Sequence, residues 1–125
     1  HISCYWDSDT DMTHPLILAK IPVKNPWEIF AYLPFGNWND CPDTPELMAA
    51  AKYWFEQYGA VPAAMSHDEL EFLLPAPVHK EKAMDAAVEL YGFCPDVIDQ
   101  GPEDATVGAL ADVLRRSTVW YLWWD

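Results

Sequence analysis

Six side chains in this sequence combine chemically capable types with positions in predicted loops: Asp40, Cys41, His67, Cys94, Asp96 and Asp99. Asp96 and Asp99 stand three apart in FCPDVIDQ and flank Val97 and Ile98, so a turn or short helical segment puts both carboxylates on one side. If Asp40 from WNDCP joins them, the three make an oxygen set for Mg²⁺ or Ca²⁺, or a grip for a partner's guanidinium or ammonium group. Asn37, Asn39 and Gln100 would add neutral hydrogen-bonding groups to that cleft. His67 would then serve as the base of a metal-assisted hydrolase or transferase. Cys94 paired with His67 would give a thiol nucleophile, but Asp96 and Asp99 nearby disfavour a thiolate. A plainer role competes for each residue. Acids ahead of helices cap them, and thiols ahead of proline act as small buried hydrophobes.

Cys41 and Cys94 both precede proline directly, and neither belongs to a CxxC pair. Their spacing therefore selects no structural zinc site, although a mixed site of Cys41, Cys94, His67 and an aspartate can be drawn. DSDTD at Asp7 to Asp11 alternates oxygen donors as a calcium loop does, but lacks the turn glycine and the later glutamate. It reads as a solvated acidic segment. His1, His14 and His79 stand alone and receive no ligand role. Phosphate-loop, nucleophile-elbow and HExxH patterns are absent, so no cofactor is expected apart from the divalent metal the acids would take. Trp38 in GNWNDCP follows no helix or strand period. Either it packs over the end of the sheet with Phe35, or it projects as an anchor for a protein partner.

The elements that must position these residues follow from periodicity and punctuation. LILAKIPV, Leu16 to Val23, has the length and apolar character of a buried strand. Trp27 to Leu33 predicts two helical turns behind Asn25 and Pro26. Asp43 and Glu46 have capping-box spacing, and Leu47, Ala51, Trp54 and Tyr58 form one stripe, so a helix is predicted from Asp43 to Tyr58 with Gly59 as its stop. Ala60–Met65 and Glu69–Leu74 predict a hairpin turning at Ser66 to Asp68. Further helices are expected over Lys80–Tyr91, ended by Gly92, and over Asp104–Arg115, with the connector Phe93–Gly101 between them. Thr118–Trp124 is a strand of aromatic and β-branched residues.

The predicted order is β-α-α-β-β-α-α-β. It implies an α+β fold with helices on one face of a mainly antiparallel sheet of about four strands. So aromatic a final strand is expected inside that sheet or against the first strand, with its tryptophans in the core. Residues 1–15 read as an acidic N-terminal segment and residues 16–125 as one compact domain.

Composition then limits the partners. The 125 residues include 20 acids against 7 lysines and arginines, a net charge of -13, while 51% are apolar. Such a field disfavours nucleic-acid phosphates and anionic membranes, and it suits a basic protein, a cationic ligand or a divalent metal. An odd count of three cysteines suits a reduced, cytoplasmic setting, and no apolar run is long enough to span a bilayer. The composition does not indicate an oligomeric state.

AYLPFGNWNDCP (Ala31 to Pro42), KYWFEQYGAVPAAMSHDELEF (Lys52 to Phe72), YGFCPDVIDQG (Tyr91 to Gly101) and the terminal VWYLWWD resemble, in that order, the bacterial domain-of-unknown-function family numbered 4253. The likeness runs from about Leu16 to Asp125. It implies a compact cytosolic α/β domain for which Asp125 is the natural end and further residues precede His1. It carries no catalytic residue, cofactor or substrate onto this chain. By analogy with small immunity proteins, the leading reading is a non-enzymatic module whose acidic surface, with Trp38, Asp40, Asp96, Asp99 and Gln100, meets a basic partner. The alternatives are a metal-assisted hydrolase or transferase using Asp40, Asp96 and Asp99, and a purely structural domain of a larger protein.

Overall fold

A computed structural model describes residues 2–125; His1 lies outside the described residues. Helix α1, Thr44–Tyr58, forms where the sequence predicts it. Asp43 accepts the Glu46 N–H at 3.1 Å, and Glu46 accepts the Asp43 N–H at 3.0 Å, so two of the first turn's orphan donors are satisfied reciprocally. Gly59, at φ 71°, ends the helix in the left-handed conformation, with its N–H on the Phe55 carbonyl. Strands β3 (Val61–Met65) and β4 (Glu69–Leu73) follow as the predicted hairpin. The small hairpin β1 (Trp6–Asp7) and β2 (Met12–Thr13) precedes them. After them come α2 (Ala83–Phe93), the one-turn α3 (Asp96–Asp99), α4 (Val107–Leu114) and β5 (Val119–Trp123).

The result is an α+β fold with two antiparallel sheets, one of two strands and one of three in the order β3-β4-β5. Leu70, Phe72 and Leu74 from β4 and its end, with Trp120, Leu122 and Trp124 from β5 and its end, supply the core face. Leu47, Ala51 and Trp54 of α1, Ala83, Ala87 and Leu90 of α2, and Ala111 and Leu114 of α4 complete the core. Trp54 is its centre. Its ring meets Phe93, Phe72 and Trp120 edge-on at centroid distances of 4.9, 5.5 and 5.6 Å, each such pair adding about 0.5–1.5 kcal/mol to what burial alone contributes.

Four expectations need correction. Leu16–Val23 is not a strand: it has no regular structure and no ladder partner among the described residues, and Ile17 and Leu18 are fully exposed. Pro15 precedes it and Pro22 lies within it, both without N–H donors, so apolar composition alone does not bring it into a ladder. The four-stranded sheet in the stated order is therefore replaced by the two sheets above. The last strand lies at an edge, pairing with β4 only. Finally, Gly92 does not end α2, which runs through it to Phe93 and stops where Pro95 follows the cap residue Cys94.

Smaller shifts have local causes. Pro26–Ala31 is a 3₁₀ helix, with Glu28 accepting the Asn25 N–H at 2.8 Å. Helix α4 starts after Thr106, not at Asp104, because the Thr106 hydroxyl accepts the Ala109 N–H at 3.0 Å and so caps it. DSDTD is the turn of the β1–β2 hairpin. There Asp7 accepts the Asp9 N–H at 2.9 Å and the Thr10 hydroxyl at 2.8 Å, which holds its carboxyl below the usual carboxylate range. Among the described residues no helix is long and apolar enough to cross a membrane.

The face of the sheet away from the helices carries Glu71, whose side chain has no exposed surface. Its Oε1 accepts the Ser3 hydroxyl at 2.7 Å, both its oxygens accept the Ser3 N–H at 2.9 Å, and its Oε2 accepts the Cys4 N–H at 2.9 Å. Burial alone would raise this carboxyl's pKa. The donors from Cys4 and Ser3 outweigh it and hold the group below its ordinary value. A single carboxylate thus fastens the chain's start to the sheet.

Candidate functional site

The GNWNDCP loop turns tightly because Gly36, Asn37 and Asn39 all take positive φ, at 83°, 65° and 44°. A Cβ at Gly36 would sit 2.2 Å from the Pro42 carbonyl oxygen, so only glycine fits there. The turn aims Asn39 at the last residue: its side-chain amide donates to the Asp125 main-chain oxygen at 2.6 Å. From the other side Asp96 Oδ2 accepts the Asp125 N–H at 2.9 Å. Phe35 and Phe93 close on Trp124 edge-on at 5.9 and 5.8 Å. The two singled-out motifs therefore do meet, and what they hold between them is the end of VWYLWWD.

That placement assigns the candidate residues one by one. Cys94 is fully buried and donates its thiol to the Trp123 carbonyl at 3.0 Å; burial pushes its pKa up to about 12, so it is a protonated donor. Cys41 is likewise buried and pushed to about 12 by burial. His67 is exposed at the β3–β4 turn, with Nδ1 3.3 Å from Asp68, not joined to Cys94. Asp99 accepts the Tyr91 hydroxyl at 2.9 Å. Asp40 is exposed on the rim of a shallow depression shared with Glu46. Asp40, Asp96 and Asp99 do not converge: among the described residues no three His, Cys, Asp or Glu side chains are placed to hold a metal ion. Trp38 is half-buried, its ring edge-on to Phe35 at 5.2 Å, so it packs over the sheet end.

Asp96 and Gln100 nevertheless share a concave surface. Together with Val97, Gly101 and Pro102, they form one wall of a groove of about 410 Å³ whose opposite wall is β5. Leu110 and Val113 of α4 line it as well, and Val113 and Tyr121 keep 53% and 42% of their surface exposed there. Sequence reasoning found one wall and missed the other. The sequence predicted the helix over Asp104–Arg115 but gave no sign that its Val113 flank would lie open beside an edge strand. The one local signal was the Gly101–Pro102 pair, which marks a turn in the connector beside the groove.

A second concavity of about 700 Å³ separates the edge of β3 from the start of the chain and is lined by Cys4, Tyr5, His14 and Leu16–Leu18. Cys4 sits there with its thiol pushed to about 12, chiefly by burial and also by its hydrogen bond to Glu71. It is no more nucleophilic than the other two.

The chain was compared with known proteins. The family model described as "Domain of unknown function (DUF4253)" matches residues 17–125, and the chain belongs to that family. No curated protein and no solved structure matches it.

Proposed function

For this member of the DUF4253 family, we propose a non-enzymatic protein-binding role: a cytoplasmic domain whose acidic surface receives a basic protein, not a nucleic acid or a membrane. One observation carries the reading. Two of the groups that chemistry would need are engaged in holding β5, with the Cys94 thiol on the Trp123 carbonyl and Asp96 on the Asp125 N–H, His67 and Asp40 stand apart from them on the surface, and an apolar groove beside β5 stays open. A buried, protonated thiol and a carboxylate occupied by a main-chain amide are poorly disposed for nucleophilic or metal-assisted work. An open apolar groove beside carboxylates suits a partner's side chains framed by lysine or arginine.

Two measurements test it together. Proteins captured on the immobilised chain at low salt are identified, and each is purified and titrated back calorimetrically. A basic partner that binds one-to-one and weakens steeply with salt is the expected result. The chain is also titrated with Mg²⁺, Ca²⁺ and Zn²⁺ beside the Asp96→Asn, Asp99→Asn double variant. Saturable one-site metal binding that vanishes in the variant would overturn the reading in favour of a metal-assisted hydrolase or transferase.

A further inference from the structure

The pairing of β4 with β5 fixes which backbone groups of β5 are free. The Leu74 N–H donates to the Thr118 carbonyl at 2.8 Å and the Trp124 N–H donates to the Asp68 carbonyl at 3.2 Å. With Leu70 opposite Leu122 and Phe72 opposite Trp120, residues 118, 120, 122 and 124 turn their N–H and C=O groups toward β4. Val119, Tyr121 and Trp123 turn theirs outward. Val119 is satisfied locally, because the Ser117 hydroxyl accepts its N–H at 3.0 Å and lies 2.9 Å from its carbonyl. The Trp123 carbonyl takes the Cys94 thiol. Among the described residues Tyr121 N–H, Tyr121 C=O and Trp123 N–H remain without a partner, a donor-acceptor-donor row on the strand that forms one wall of the groove.

We propose that the groove is a strand-addition site: an extended, basic segment of a partner protein pairs with the outer edge of β5 at Tyr121 and Trp123 and lays an apolar side chain against Val97, Leu110 and Val113. The proposal rests on the protein-binding reading above and specifies how that binding occurs. Backbone pairing supplies affinity in such complexes, and alternate side chains supply selectivity. Charge decides between candidate strands. Asp96 is on the groove wall, and the β5 side chains Tyr121 and Trp123 hydrogen-bond Glu69 and Asp68 at 2.7 and 3.1 Å. The arginines nearest the start of β5, Arg115 and Arg116, are both paired with Asp112, at 3.3 and 2.9 Å. The edge at Tyr121 and Trp123 is thus framed by carboxylates, and the two arginines, sharing one carboxylate, lie at the start of the strand before Val119. A second copy of a chain bearing -13 charge would bring the same sign to the same place, whereas a lysine- or arginine-bearing strand complements it.

The probe is an acetylated, amidated seven-residue peptide of alternating valine and lysine. Its controls are the same peptide N-methylated at alternate amides and a counterpart with glutamate in place of lysine. Binding is followed by calorimetry and by amide shifts and hydrogen exchange of the full chain. The proposal expects one site, perturbation centred on the Tyr121 and Trp123 amides with slowed exchange there, and at least tenfold weaker binding after N-methylation or with glutamate. Val113→Lys, an exposed helix position whose variant should fold normally, should weaken the lysine peptide by about tenfold. Equal affinity for the N-methylated peptide, or perturbation away from β5, overturns strand addition and leaves the acidic-surface reading standing. Protection of the same amides by concentration-dependent dimerisation overturns it in favour of a second copy. If no peptide binds at millimolar concentration, strand addition fails, and the calorimetric test of captured partners judges the wider reading separately.

Discussion

The free edges of β3 and β5 border the same three-stranded sheet, yet the residues that form them differ in kind. On β3, Pro62 lies opposite Phe72 in a pair whose backbone groups point outward, so the position that would offer a donor has none. The register shifts between Pro62 and Ala64, and this bulge breaks the row again. The start of the chain, fastened by Glu71, flanks the same edge. On β5 the register is unbroken from Val119 to Trp123, and no proline interrupts it. Its ends are held by Ser117, Cys94 and Asp96, while its middle is left unpaired. An edge strand normally needs blunting. Both edges border a concavity, but β3 is interrupted by a proline and a bulge while β5 is straight and clamped, so only β5 offers an unbroken backbone row to a partner.

The comparison fails first if β5 is not firmly held, and Trp124 decides that. Its side chain is almost wholly buried between Phe35 and Phe93. Trp124→Ala should cost about 3–5 kcal/mol by the usual large-to-small penalty, read from urea unfolding. Hydrogen exchange along Tyr121–Trp123 should accelerate with it. A loss under about 1 kcal/mol would mean that β5 frays at its end, and its edge would then be no prepared surface.

Next is the fastening of the opposite side. Glu71→Gln places an amide NH₂ among the N–H groups of Ser3 and Cys4, setting donor against donor. The cost should be roughly 1.5–3 kcal/mol, the range for hydrogen bonds to a charged group. Because the native carboxyl titrates below its unfolded value, its contribution is complete above the ordinary glutamate range. It fades as pH falls through the lowered native pKa. Stability curves of the natural chain and the variant should therefore run apart near neutrality and converge in acid. A gap constant with pH would remove the ionised carboxylate from the account.

These residues also show what the sequence could reveal. The capping box at Asp43 and Glu46, the stripe of α1 and the stop at Gly59 are local signals, and they were readable because their physics is complete within about four residues. Glu71 was legible only as a residue of the predicted hairpin strand Glu69–Leu74. Its burial is created by Ser3 and Cys4, 68 and 67 positions away in sequence, which no local pattern encodes. Leu16–Val23 misled for the converse reason: apolar length is local, but a strand needs a neighbour's free edge. The site divides in the same way. Asp96 and Gln100 were singled out from spacing, whereas their partners across the groove depend on the end position of β5.

A smaller effect separates the clamp on β5 from the chemistry once drawn for Asp96. Asp96→Ala removes the acceptor of the Asp125 N–H and should cost about 1 kcal/mol, while Asp96→Asn keeps an oxygen and should cost less than about 0.5 kcal/mol. Both are read by urea unfolding at neutral pH. Equal losses for the two variants would point to the charge of Asp96, not its hydrogen bond, as what matters.

The smallest change in stability belongs to the substitution that tests the contrast most directly. Pro62→Thr restores an outward N–H on β3 without altering the core pairs, so stability should move by no more than about 0.5 kcal/mol. What should change is stoichiometry. The natural chain is expected to take one valine–lysine strand peptide, at β5, and the variant a second and weaker one, at β3. Calorimetry counts the sites, and exchange at the Met65 amide, which shares that outward row, locates the new one. A second site would identify the missing donor at Pro62 as what closes this edge. If the count stays at one, the closure belongs to the bulge at Ala63 or to the chain start behind Glu71. Adding Glu71→Gln to the variant then separates these two, since releasing the chain start uncovers the edge but leaves the bulge in place.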